Sequence, residues 1–407
     1  MEEQEIRETG ELVAGLDIGT TKTCAVIGEV FADRVEIIGV GTAASAGIKK
    51  GIVVNIEATV RSIRQAIDEA SDMAGCDIQT VYVGIAGQHI KGFNSPGIIA
   101  INNQEIRQKE IDAVIQAAQT VKISDNQQII HVLPQEYMVD DHTGIQNPLG
   151  MTGVRLVTNV HIVTADVTAL HNLVASCNRA GLSVTDIVLE SVASSHAVLS
   201  REEMDLGVVL LDIGGGTTDV AIFCNGTIKH TWELALGGNN LTSDLSVGLR
   251  TPLQEAEILK YRFGGALSSL IKDNHIIEVP TVGDRKPRKV SQRVMVEILE
   301  ARMEEILQMV NQNICSSSYR SQINSGLVIT GGTALLPNIV DMAEQIFDMP
   351  VRIGHPGGVS GRVEEIATPR CTTAVGLVLY GSQGRQYRPR VSGGMVSKLK
   401  DWIKNIV

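Results

Sequence analysis

From Leu12 the chain sets short apolar runs against stretches in which apolar residues recur every three or four positions. The segments LVAGLDIG, TCAVIGEV and VEIIGVGTA read as three strands, the last two separated by the turn FADR. Next, NIEATVRSIRQAIDEASDMAG places Ile56, Val60, Ile63, Ile67 and Ala70 at helical spacing, and Gly75 supplies a stop. TVYVGIAG predicts a fourth strand, ADVTALHNLVASCNRAGL a helix, VTDIVLE a strand and SVASSHAVLS another helix. The second half spells the same order. LGVVLLDIG, TTDVAIFCNG and TIKHTWELALG predict three strands, followed by a helical region and a strand in GLVITGG. A helix in NIVDMAEQIFD, a strand in PVRIG and a helix in TTAVGLVLYG complete it. Such a mixed pattern, written twice, implies a duplicated α/β fold.

Two stretches exceed the shared plan. Gly87 to His161 interrupts the first half after its fourth strand. Within it, QEIRQKEIDAVIQAAQTV puts Ile111, Val114, Ile115, Ala118 and Val121 on one helical face, and QQIIHVLPQEYMVD and VRLVTNVHIVTA read as strands. A small α+β subdomain is expected there. The second half carries its extra piece between Thr251 and Arg293, including the basic DRKPRKVSQR. The expected partition is a first lobe over 1–86 and 162–204 with the insert over 87–161. A second lobe over 205–250 and 294–381 carries its own subdomain over 251–293. A linker over 382–394 and a terminal helix over 395–407 end the chain.

Composition narrows the class. With 407 residues the chain exceeds one ordinary core, and aromatic residues are only 3%, so the cores must be aliphatic. A formal charge of −11 argues against a general nucleic-acid binder. Cys24, Cys76, Cys177, Cys224, Cys315 and Cys371 form no C-x-x-C pair and read as buried free thiols of a reducing compartment. The acidic start MEEQEIRETGE does not read as a signal peptide, and no apolar stretch approaches the ~20 residues that cross a bilayer. An intracellular, non-spanning protein is expected. His131, His142, His161 and His171 lack the spacing of a helical zinc pair.

The candidate chemistry lies in a sentence written twice, LDIGTTKTCAVIG and LDIGGGTTDVAIF. A strand ending in Asp, turning through Gly and Thr and re-entering a strand aims backbone N–H groups at its tip, where glycine permits an anion-binding nest. The carboxylate at the strand end suits the hydration shell of Mg²⁺, which keeps most of its waters. A lone copy could be a plain hairpin turn. Two copies at matching places suggest one jaw per half on a nucleotide phosphate chain. No GxxxxGK[ST] loop occurs.

These two hairpins, with LESVASSHAVLS, GLVITGGTALLPNIVDMA and CTTAVGLVLYG, resemble the five-part signature of the actin, Hsp70 and sugar kinase superfamily across nearly the whole chain. The resemblance implies an actin-like ATPase fold, two lobes around a nucleotide cleft, binding ATP with Mg²⁺. By position it implies Asp17 and Asp212 as Mg²⁺-water carboxylates, and Gly19, Thr20, Thr21 and Lys22 with Gly214, Gly215, Gly216 and Thr217 as phosphate cradles. Glu190 is similar to the residue that orients attacking water, so Glu190, Asp17 and Asp212 form the implied catalytic set. Gly238 and Asn239 resemble a further phosphate or ribose contact, Glu257 and Lys260 the adenosine-ribose pair, and Gly331, Gly332 and Thr333 the adenine-side turn.

Within the superfamily, the insert after the fourth strand, the SAGIKKGIVVNIE entry and a short amphipathic tail resemble the FtsA family of actin-like bacterial division proteins. Only 26 residues follow Gly381, too few for the peptide-binding region of an Hsp70. No sugar-binding cluster is evident. That family implies weak or no hydrolysis, self-association into actin-like filaments, and attachment of the tubulin-like FtsZ ring to the inner face of the plasma membrane at the division site. It implies that the C-terminal peptide of FtsZ docks on the second-lobe subdomain, where Arg285, Lys286, Arg288, Lys289 and Arg293 cluster. Later division proteins would meet the insert. The tail VSKLKDWIKNIV places Val396, Leu399, Trp402, Ile403 and Ile406 on one helical face and Lys398, Lys400 and Lys404 on the other, the pattern of a helix lying in an anionic membrane surface. The competing reading is a small-molecule phosphotransferase of the same superfamily; a third, an actin-like protein of pilus assembly, fits the tail less well.

Overall fold

In β1 (Glu11–Ile18) and β2 (Lys22–Val30) every residue from Val13 to Ile18 and from Thr23 to Gly28 is buried, which explains why the sequence shows continuous apolar runs rather than alternation. The computed structural model describes residues 10–102, 105–283 and 286–383. The expected membrane residues Val396, Leu399, Trp402, Ile403, Ile406, Lys398, Lys400 and Lys404, and Arg285 of the basic cluster, lie outside the described residues. The chain divides into two compact units, residues 1–198 with 355–407 and residues 199–354.

In the first unit, β1 and β2 form an antiparallel hairpin that continues into β3 (Val35–Ala44). A short hairpin of β4 (Ile48–Lys49) and β5 (Ile52–Val53) follows. Helix α1 (Ile56–Ala74) then starts where the Asn55 side chain accepts from the Ala58 amide and ends at Gly75. Its buried stripe includes Val60, Ile63, Ile67 and Ala70. β6 (Thr80–Ile85) runs parallel to β1.

The insert follows as β7 (Lys91–Ala100), α2 (Gln108–Ala118), β8 (Gln127–Val139), β9 (His142–Ile145) and β10 (Arg155–Asp166). Its sheet has the order β7-β10-β8-β9. It has a core of its own, in which Ile111, Val114, Ile115 and Ala118 of α2 meet Ile129, Val139, Leu156 and Val160. The chain returns through α3 (Val167–Arg179), capped by the Asp166 carboxylate, to β11 (Ser183–Leu189), parallel to β6, and to α4 (Glu190–Val198).

The second unit opens with α5 (Arg201–Leu206), then β12 (Val208–Ile213), β13 (Thr218–Cys224) and β14 (Thr227–Leu234). Helices α6 (Gly238–Leu249) and α7 (Leu253–Phe263), the hairpin β15 (Ile276–Val279) and β16 (Arg288–Ser291), and the long α8 (Gln292–Ser316) follow. β17 (Leu327–Thr330), α9 (Ile339–Phe347) and β18 (Val351–Ile353) complete the unit. Its sheet order is β14-β13-β12-β17-β18, the same path as β3-β2-β1-β6-β11 in the first unit. The duplication is therefore one of topology.

The last segments depart from the expected partition, which counted 294–381 wholly in the second lobe. β19 (Ser360–Gly361), the short α10 (Val363–Ile366) and α11 (Thr372–Gln383) belong to the first unit. There β19 pairs parallel with β3. α11 is buried from Thr372 to Leu379. It packs on β1 and against α4, where the Ser194 and Thr373 hydroxyls meet at 3.1 Å. Small residues on both helices permit that approach. The thiols also differ from expectation: Cys24, Cys177, Cys224 and Cys371 are buried, but Cys76 is half-buried and Cys315 is exposed.

Candidate functional site

The first unit gathers its candidates at the carboxyl ends of β1, β6 and β11, three mutually parallel strands, the edge where open α/β sheets hold their ligands. The β1–β2 register sets Asp17 opposite Cys24, and the tip closes with the Gly19 amide donating to the Lys22 carbonyl at 3.1 Å. Asp17 is 9% exposed. Thr20 at the tip accepts, through Oγ1, a hydrogen bond from the Gly51 amide of the β4–β5 turn at 3.2 Å.

The Lys22 ammonium is turned to the start of α11, where it donates to the Arg370 carbonyl at 2.7 Å and lies 3.8 Å from Cys371 Sγ. Burial works against this ammonium, yet the Cys24 and Cys371 sulfurs and the Asp17 carboxylate more than offset it and hold its pKa above the usual lysine value. Cys371 responds in the opposite sense. A hydrogen bond from Cys24, with Lys22 close by, draws its thiol down to about 6 against the cost of burial.

Glu190 is the first residue of α4 and lies over Gly84 of β6. A Cβ at residue 84 would come within 3.1 Å of Glu190 Cγ and 3.4 Å of its Oε1, so any larger residue there would press on this side chain and shift it by a few tenths of an ångström. Gly84 was not singled out from sequence. Its signal was present, since TVYVGIAG breaks an apolar strand with a glycine, a mark of close approach.

In the second unit the candidates converge on one turn. Gly214 donates to the Thr217 carbonyl at 2.9 Å, closing the β12–β13 hairpin. The Gly214 carbonyl accepts from the Gly238 amide at 3.0 Å and from Thr333 Oγ1 at 2.9 Å, and the Gly215 carbonyl from the Asn239 amide at 2.7 Å. Thus the N-terminus of α6 and the turn after β17 are both fastened to the hairpin, in which Gly216 sits between Gly215 and Thr217. Lys260 of α7 donates to the Gly238 carbonyl at 3.1 Å, to Thr242 Oγ1 at 2.8 Å and to Glu257 Oε2 at 2.7 Å. Thr242 and Glu257 are also hydrogen-bonded.

Gly331 has φ 85°, and a Cβ there would lie 2.3 Å from Asp212 Oδ1. The turn that carries Gly332 and Thr333 can therefore pass over Asp212 only with glycine at 331. Sequence reading missed the neighbour of that carboxylate. The hairpin register sets Asp212 directly opposite Asp219, which is 1% exposed and accepts from Thr217 Oγ1 at 3.3 Å. Glu233 of β14 lies opposite Asp219 in turn, with both carboxylate oxygens buried.

The basic cluster is only partly available. Arg288 donates to the Leu249 carbonyl at the C-terminus of α6, a position that favours a cation, so it fastens the β15–β16 hairpin. Lys286, Lys289 and Arg293 are exposed. An open groove runs along α6 and α8, lined by the apolar Val294, Ile298 and Ala301 and the charged Asp244, Glu297, Arg302 and Glu305. Arg302 is paired with Asp244, Nη2 to Oδ1 at 3.2 Å. Within this largely charged lining, Val294, Ile298 and Ala301 form a short apolar strip on α8, offset from the core stripe of Met295, Leu299, Met303 and Ile306.

Each unit, taken by itself, ends a central strand in a carboxylate beside a glycine turn, Asp17 on β1 and Asp212 on β12. Among the described residues no group of three or more His, Cys, Asp or Glu is placed to ligate a metal directly. A single carboxylate of this kind suits a hydrated divalent ion through its waters rather than as a direct ligand.

Comparison with known proteins agrees in both sequence and fold. Residues 209–376 match the family described as cell division protein FtsA, and residues 87–164 match the SHS2 domain inserted in FTSA. The chain is 47% identical to the cell division protein FtsA of Pseudomonas aeruginosa, over 98% of either chain. It is 43% identical to that of Neisseria meningitidis serogroup B, over 97% of this chain and 98% of the relative. With that of Escherichia coli K12 it shares 37% identity, again over 97% and 98%. Among solved structures, a chain of the PilM–PilN type IV pilus biogenesis complex aligns with TM-score 0.66 at 16% identity, over 91% of this chain and 98% of that one. MreB5 of Spiroplasma citri bound to ADP aligns with TM-score 0.58 at 14% identity, over 93% and 99%. These structural likenesses show the fold, which is actin-like and α/β, with the SHS2 domain inserted.

Proposed function

The chain belongs to the FtsA family of cell division proteins, and from that premise we propose that it binds ATP with Mg²⁺ and tethers the FtsZ ring to the inner face of the plasma membrane. The observation that carries the nucleotide reading is the Asp212 turn. Its carboxylate is over-passed by Gly331, and its hairpin is fastened to Gly238, Asn239 and Thr333. When bound, Mg²⁺ would neutralise phosphate charge and ATP would supply the phosphoryl group. Asp17 and Asp212 would accept hydrogen bonds from the waters of the ion. The turns Gly19 to Lys22 and Gly214 to Thr217 would present donors to phosphate oxygens, and Glu257 and Lys260, already paired on α7, would meet the ribose. Gly331 to Thr333 would flank the adenine. Glu190 would orient a water for slow hydrolysis. Spiroplasma citri MreB5, solved with ADP, supports a nucleotide in this fold.

The α6–α8 groove, whose Val294 follows the exposed Arg293 in the chain, supports docking of the FtsZ C-terminal peptide on the second unit. The inserted subdomain, with its own core, is the surface for later division proteins and for the next copy of the chain in a filament. Among the described residues no helix is long and apolar enough to cross a membrane, so attachment falls to the terminal segment 395–407. The nucleotide reading is tested by titrating wild type and Asp212→Ala with Mg²⁺-ATP in a calorimeter. The variant is expected to lose most of its affinity while keeping its fold; equal affinity overturns the assignment.

A further inference from the structure

Leu189 ends β11 immediately before Glu190, and β11 is the outermost strand of its sheet. It has β6 on one side only, so amides on its open side need acceptors from elsewhere. The Leu189 amide finds one in the inserted subdomain. It donates to Nε2 of His131, on β8, at 2.9 Å. On its own sheet His131 stands opposite Val163 of β10. Its ring meets Tyr380 of α11 edge-on, centroids 6.2 Å apart, and Tyr82 of β6 meets the same Tyr380 at 6.2 Å. One imidazole of the insert thus meets both the strand end before Glu190 and Tyr380 of α11, the helix packed against α4. The ring is 5% exposed, and burial alone depresses its pKa to about 4, so at neutral pH it is uncharged and Nε2 keeps the lone pair that the bond requires.

We propose that His131 is a positioning residue for Glu190: it fixes the end of β11, and with it the first turn of α4, at the height where Glu190 stands over Gly84. A shift of the inserted sheet then reaches Glu190 through one hydrogen bond. A protein bound to the insert, or the next copy in a filament, thereby gains a route to ATP turnover. The bond joins a buried side chain of the insert to the residue just before Glu190, which makes His131 the point to test. The inference rests on the reading of Glu190 as the water-orienting residue.

The experiment compares full-length wild type with His131→Leu, which removes the acceptor, His131→Gln, whose side-chain oxygen reaches to about the position of Nε2, and His131→Asn, which falls short. Glu190→Gln serves as the reference. Three quantities are read: single-turnover hydrolysis of radiolabelled ATP, ATP affinity by calorimetry, and amide hydrogen exchange over residues 183–192. His131→Leu and His131→Asn are expected to slow hydrolysis several-fold and to speed exchange at Leu189 without changing ATP affinity; His131→Gln restores both. Should the leucine variant fail to fold, the glutamine and asparagine pair decides. Faster exchange with wild-type hydrolysis overturns the proposal, as does equal loss in all three variants. If Glu190→Gln hydrolyses at the wild-type rate, the reading of Glu190 is what fails. If Glu190→Gln is slow while His131→Leu is not, the Glu190 reading stands and His131 alone is refuted.

Discussion

His131 is neutral because burial, with no charged neighbour to oppose it, disfavours the imidazolium, and that has a consequence for stability. Its folded pKa is about 4 against an unfolded 6.5. Between those values the unfolded chain takes up a proton that the folded chain refuses, so this group's contribution is fully present above 6.5 and is lost as pH falls toward 4. A shift of this size corresponds to about 3 kcal/mol. Urea midpoints should therefore fall across that window, and less steeply in His131→Gln; parallel curves would show that the ring is not held neutral in the fold. At the same scale, Gly84 and Gly331 show what single letters conceal. Gly84 looks like an ordinary strand glycine and Gly331 was read only as part of a turn, yet each leaves room beside a carboxylate, Glu190 in one case and Asp212 in the other. The strand patterns were legible without them because burial on both faces leaves continuous apolar runs. Asp219 was legible in principle: counting back from the tip of the GGGT turn sets it opposite Asp212. It went unread because one polar residue within an apolar strand has no distinguishing neighbour in sequence.

Elements were recovered where period and length agreed. The α1 stripe and its two ends follow from spacing and caps, and α2 sits within the stretch expected for it. β7 was not anticipated, since Pro96 and Gly97 interrupt its pattern, and β9 is four largely exposed residues. α11 was expected as a helix but assigned to the wrong unit, because the sequence gives order and not partner; its small residues fit against α4 and β1. α8 hides a further ambiguity. Val294, Ile298 and Ala301 lie at helical spacing beside the core stripe, and nothing in the sequence marks them as the uncovered face. Val294 is 46% exposed, so Val294→Glu should fold normally. It should weaken capture of a fluorescent FtsZ C-terminal peptide about ten-fold, ~1.4 kcal/mol, and leave ATP affinity unchanged. Wild-type anisotropy titrations in that variant would move the docking site off the groove.

At the scale of the whole chain, charge and length divide the labour. The chain carries a formal −11 overall, so its bulk is repelled by an anionic bilayer. The final twelve residues, which lie outside the described residues, carry three lysines against one aspartate. As a helix they would reach about 18 Å at ~1.5 Å per residue, well short of the ~30 Å hydrocarbon core. They can lie in the interface, with Trp402 at headgroup depth and the lysine stems spread toward the phosphates. Each well-placed basic residue adds about 1 kcal/mol on an anionic surface. One such segment would bind weakly and reversibly, so firm attachment would require several copies held together, which the proposed self-association would supply. Trp402→Glu puts charge into the apolar face. It should release the protein from anionic vesicles in co-sedimentation at moderate salt while ATP affinity stays at the wild-type value. Removal of residues 395–407 should do the same, and dilution below the self-association threshold should release even the wild type. Retention of the Trp402→Glu protein on the vesicles would place the anchor elsewhere in the chain.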